Sequence, residues 1–269
     1  MRIFFALFFL FSFQQLKAQE LFVYTEPASN MAAKSIGVRI ANSLMHESTG
    51  KYSYHLLPEI MLGLSKKIMI HAEGFFSNRD QKFNTEGASL YLKYRFYSMD
   101  AVHSHFRVAA FAKAAYNNSH IHQAAIDLAG YNSGYEGGII ATKLINKLAL
   151  SLSSSFLHAT NNGDGNKFQY GNKSKDAVSY TVSAGKLLLP KTYTDYDQTN
   201  VNVMVELLGQ VNLNSGKSYL DIAPSLQFIF LSKMRLDMGY RFALVKDLSR
   251  MADYGFLLRL EYNFFNVYK

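Results

Sequence analysis

The chain has no cysteine and no tryptophan, and its 269 residues hold only four prolines. Without cysteine there are no disulfide staples and no CxxC chemistry. With so few prolines, little interrupts a β-ladder. Beyond the first nineteen residues, no stretch approaches the roughly eighteen consecutive apolar residues of a membrane helix. The formal charge of +8 is spread along the chain and forms no basic patch, which argues against nucleic acid as a partner. A Gly-rich phosphate loop and an HExxH helix are also missing.

The first nineteen residues, MRIFFALFFLFSFQQLKAQ, set Arg2 before an apolar run from Ile3 to Phe13 and end near the small Ala18. This is the layout of a secretory leader, removed after Ala18 or Gln19. The run is too short to anchor a helix in a bilayer. Residues 1–19 are therefore read as a signal peptide and 20–269 as one domain, whose charge falls to +6 once Arg2 and Lys17 leave.

That domain is rich in aromatics, with 18 Tyr and 21 Phe, and its mean hydropathy is −0.05. Its commonest pattern is alternation with period two. Ten segments show it plainly: Ser35 to Leu44, Leu57 to Leu64, Lys67 to Phe76, Ala88 to Tyr97, His105 to Tyr116, Lys147 to Leu157, Asn200 to Leu208, Tyr219 to Leu231, Met234 to Leu244 and Tyr254 to Phe265. Two more are less secure. One is Gly-rich, Asp127 to Thr142, with a bulge expected at Gly137-Gly138; the other is Ala177 to Gly185. The fold expected is all-β: an antiparallel up-and-down transmembrane β-barrel of about twelve strands, with ten the runner-up if either of those two is misread.

Loop lengths point the same way. The connections at Ser65-Lys66, Ile145-Asn146 and Ser232-Lys233 are short, whereas most of the others are longer and polar, with the longest at Asn161 to Asp176. Short inner turns and long outer loops are the habit of outer-membrane barrels. The 187–197 connection, with Pro190, is long for an inner turn. A periplasmic sandwich or lipocalin-like barrel would carry its charged face outward and have loops of similar length at both ends, so it is the weaker reading.

The last strand, YGFLLRLEYNFF, alternates Tyr254, Phe256, Leu258, Leu260, Tyr262 and Phe264. It resembles the terminal strand of Gram-negative outer-membrane barrels, which the barrel-assembly machinery recognises, although here NVYK follows and the chain closes on Lys269. The opening LFVYTEPASNM resembles the start of Bacteroidota barrels. These resemblances imply a cell outer membrane location among outer-membrane lipid and lipopolysaccharide.

With the apolar set facing lipid, the opposite set faces the lumen. It comprises Arg39, Glu59, Glu73, Lys93, Arg95, Arg107, Lys113, Glu206, Asp221, Arg235, Asp237, Arg241, Arg259 and Glu261. The function expected is a channel or transporter for small polar or charged solutes. The alternative is a structural or adhesive barrel plugged by salt bridges. Met45, Met61, Met69 and His71, with the His103/His105 and His120/His122 pairs, suit a soft ion such as Cu(I), but filler Met and scattered His are the preferred reading. No metal and no cofactor are expected. His46-Glu47-Ser48 resembles the His-x-Ser spacing of outer-membrane phospholipases, but the sequence supplies no orienting partner, so an enzyme is not expected. An epitope inserted at Asp164-Gly165 should be detected on intact cells; detection only after rupture of the outer membrane would invert this topology.

Overall fold

The computed structural model describes residues 22–48, 50–80, 82–101, 104–168, 175–195 and 197–268. The expected leader, His103, Lys269 and the centre of the 161–176 loop lie outside them. The strands are β1 (Ser35–Glu47), β2 (Tyr52–Gly63), β3 (Ile68–Ser77), β4 (Asn84–Ala101), β5 (Ser104–Asn117), β6 (Gly134–Ile145), β7 (Leu148–Ala159), β8 (Asp176–Leu189), β9 (Asn200–Asn212), β10 (Ser218–Phe230), β11 (Met234–Lys246) and β12 (Ala252–Phe264). Each pairs antiparallel with the next, and β1 pairs with β12 to close the ring. Closure leaves no free strand edge, the condition for a sheet to cross a bilayer.

Period-two alternation sets the two faces. Val38, Ile60, Leu90, Leu152, Val205, Leu226 and Leu260 are exposed on the outside, as a lipid-facing belt requires. Aromatic rings border the belt at both ends. His46 stacks on Tyr254 at 4.5 Å at the outer end, and Tyr262 meets Phe264 at 4.7 Å at the end bearing short turns, here called inner. At one of those turns Leu231 and Ser232 both take positive φ, 51° and 55°, the twist that a two-residue hairpin needs.

Three details differ from the sequence reading. Strand six begins at Gly134, not Asp127, because residues 118–133 fold into the barrel mouth. Gly137-Gly138 is no bulge, since register is continuous with both neighbours. Gly138 is needed for close approach: a Cβ there would lie 2.5 Å from the Ser154 carbonyl and 2.8 Å from Phe111. Register shifts occur elsewhere, one of them between Arg95 and Tyr97. This one reverses the parity of the end of β4 and turns Tyr97 outward, where it is exposed.

The long inner connection also has an explanation. β8 runs to Leu189, and Lys147 reaches across from the β6–β7 turn to donate to the carbonyls of Pro190 (2.8 Å) and Lys191 (2.5 Å). A ring paired on every edge should stay compact in cold detergent, so the unboiled protein should run faster on a gel than the boiled one and show β-dominated circular dichroism. A helical spectrum would overturn the fold.

Candidate functional site

The lumen is built around cross-strand register. Arg39 on β1 stands opposite Glu59 on β2 and Glu261 on β12, and its guanidinium reaches both carboxylates, at 2.9 Å and 2.8 Å. One strand further, Arg235 stands opposite Glu261 and Asp237 opposite Arg259. Arg235 bonds Glu261 at 2.8 Å, and Arg259 bonds Asp237 at 2.6 Å. His71 closes the other side on Glu59 at 2.6 Å. Facing residues on neighbouring strands lie close enough to pair, so the alternation that aims these groups inward also joins them.

Into this belt runs the segment between the expected leader and β1. Residues 22–31 lie inside the lumen, with Phe22, Val23, Ala28 and Met31 buried. An extended segment away from a sheet must have its amides satisfied by side chains. Glu206, fully buried on β9, accepts from the Val23, Tyr24 and Thr25 amides, each at 2.9 Å, and from the Thr25 hydroxyl at 2.7 Å. Arg259 donates to the carbonyls of Val23 (2.7 Å) and Phe22 (3.0 Å). Lys93 donates to the carbonyls of Pro27 (2.7 Å) and Ser29 (3.0 Å) and pairs with Glu26. Thr142 accepts from the Ala28 amide, and Arg107 donates to the Ser29 hydroxyl.

The outer mouth is narrowed by the 118–133 loop. Ile121, Ile126 and Leu128 pack with Leu157, Ala159, Phe168 and Ala177. Gln210 on β9 both donates to and accepts from the Ile126 backbone, at 2.8 Å each, and the Ala124 and Ala125 amides reach the Ser249 carbonyl. Tyr131 lies under the Arg79 guanidinium and bonds His55 at 3.3 Å; burial pushes its phenol pKa up. In the described part of the connection between β7 and β8, Asn162 and Phe168 are both buried.

Between plug and loop lies a chamber of about 360 Å³. Val23, Tyr24 and Arg259 bound it on the plug side, Ile126, Asp127 and Tyr131 on the loop side, and Glu73, Lys113, Glu136 and Arg241 at its wall. Lys113 pairs with Glu73 at 3.3 Å. Asp221, buried, holds Arg241 at 2.5 Å and also Arg250.

The fourteen residues expected at the lumen therefore divide. Arg39, Glu59, Arg235, Asp237, Arg259 and Glu261 form the belt, whereas Lys93, Arg107 and Glu206 hold the plug. Glu73, Lys113 and Arg241 border the chamber, and Asp221 anchors Arg241. Arg95 is at the inner rim, donating to the Lys66 carbonyl. Glu26, Asp127, Glu136 and Arg250 join these groups without having been singled out from sequence. Glu26 and Arg250 lie outside the strands, and Asp127, read from sequence as the start of strand six, falls in the 118–133 loop.

Of the methionines singled out, Met61 and Met69 pack on Met31 of the plug, and Met45 lies against Gly255. His46 is held between Tyr52 and Tyr254 on the outward face of β1.

No protein-family model and no curated protein matches the sequence. Solved structures do. This is the fold of outer-membrane barrels. An outer membrane channel from Pseudomonas putida F1 aligns with a TM-score of 0.57 at 12% identity, covering 90% of this chain and 100% of that one. The NanC porin aligns with a TM-score of 0.50 at 10% identity, covering 84% and 98%. At such identities the likeness is one of fold.

Breaking one buried ion pair leaves its partner uncompensated and costs about 3–5 kcal/mol. Asp237→Ala, which removes the carboxylate that Arg235 and Arg259 share, should lower unfolding stability by about that amount in urea titrations of the barrel in lipid. Asp253→Ala, at an exposed pair with Lys246, should change it by less than about 1 kcal/mol.

Proposed function

We propose that this protein is an outer-membrane channel for small polar or charged solutes, closed in its resting state by its own N-terminal segment. One observation carries the reading: residues 22–31 fill the inner lumen yet are held by bonds from wall side chains and not by a β-ladder, so they can leave without unpairing a strand. A solute entering the outer mouth would reach the chamber, whose wall offers both signs of charge. Displacement of the plug would then open the path. The rival reading is a barrel permanently sealed by its salt-bridge belt. Outer-membrane lipid and lipopolysaccharide would surround either form, and the barrel-assembly machinery would insert it.

The test uses the absence of cysteine. Thr25 Oγ1 and Ser183 Oγ lie 2.9 Å apart across the plug and the wall, a spacing suited to an engineered disulfide. In planar bilayers Thr25→Cys/Ser183→Cys should be silent when oxidised and conduct when reduced. Glu206→Ala removes several charge-assisted bonds, each worth about 1.5–3 kcal/mol, and should raise the open fraction at least about tenfold. Equal conductance of the oxidised and reduced forms would exclude the plug as gate. Silence of every form, Glu206→Ala included, would favour the sealed barrel.

A further inference from the structure

Two loops on the outer face bring together three side chains that the belt, plug and chamber do not use. Asp80 comes from the β3–β4 loop, and His120 and His122 from the 118–133 loop. One ligand atom from each lies within 4.8 Å of the others, and all three residues are exposed. The segment is fixed by its alternate residues. Ile121 is buried in the apolar cluster, and Gln123 accepts from the Met251 amide at 3.0 Å. His120 and His122 are left side by side, their rings 5.9 Å apart and inclined by only 25°. The partner loop is tied in by Arg79, next to Asp80, which bonds both Glu86 and Ser119.

The spacing suits a metal ion. Nδ1 of His120 stands 3.5 Å from Oδ2 of Asp80. Two ligands of a tetrahedral zinc ion, with bonds of roughly 2.0–2.2 Å, stand about 3.4 Å apart. Imidazole with carboxylate is a donor set for borderline divalent ions. Asp80 and His120 also line a cleft of about 390 Å³ together with Lys82, Glu86 and Asp164. Glu86 is engaged by Arg79, which leaves Asp80 and Asp164 against the single charge of Lys82. A cation is favoured there, and the cleft leaves room for water at the remaining coordination position.

We propose that Asp80, His120 and His122 form an external site for a divalent transition-metal ion of the zinc class. Bound there, the ion clips the inward-folding 118–133 loop to the β3–β4 loop and stiffens the outer mouth. The site stands independently of solute passage, because binding is measurable on the folded barrel whether or not it conducts.

The experiment is calorimetric titration of tag-free, gel-verified folded barrel with Zn²⁺. One ion per chain at micromolar affinity is expected. His120→Ala/His122→Ala should abolish binding and Asp80→Asn should weaken it at least tenfold. His158→Ala, at a histidine paired elsewhere with Asp176, should leave it unchanged. Zn²⁺ should also slow protease cleavage within residues 118–133 in the wild type and not in the double variant. Absence of binding by the wild type at millimolar Zn²⁺, or equal affinity in the folded double variant, would overturn the site.

Discussion

The Arg39 guanidinium is the point on which the interior depends. β1 is the strand where the ring closes, pairing with β2 on one side and β12 on the other, and Arg39 bonds a carboxylate on each. Slipping either register by one residue would turn its charged residues toward lipid, at roughly 2–4 kcal/mol for each Arg or Lys near the midplane. The pairs therefore matter less for net stability, where desolvation offsets attraction, than for selecting one closure of the barrel.

This constraint made the strands legible in sequence. Wherever one face meets lipid and the other meets charge, alternation is strict, and the segments from Ser35 to Leu44 and from Tyr254 to Phe265 lie within a few residues of the observed β1 and β12. Alternation failed where residues serve neither face. The 127–133 stretch is apolar enough to resemble a strand but buries Leu128 and Tyr131 in the mouth. The plug left no periodic signal, since its partners Glu206, Arg259 and Lys93 lie far away in sequence. Asp80 joined His120 and His122 only through the folding of two loops.

The two closures of the lumen differ in kind. At the inner end, backbone groups of the plug are met by charged side chains, so the plug has polar partners in the wall and would find equivalent ones in water. At the outer end, the 118–133 loop is held by neutral partners, the Gln210 side chain and the Ser249 carbonyl, together with apolar packing around Ile126 and Phe168, which water does not replace.

Arg259 takes part in both the seam and the plug: it pairs with Asp237 across the β11–β12 interface and donates to two plug carbonyls. β12 thus carries a group that seats the segment beginning at Phe22. Because β12 is also the strand that closes the ring on β1, the seam of the wall and the last part of the plug's seat are completed by the same strand.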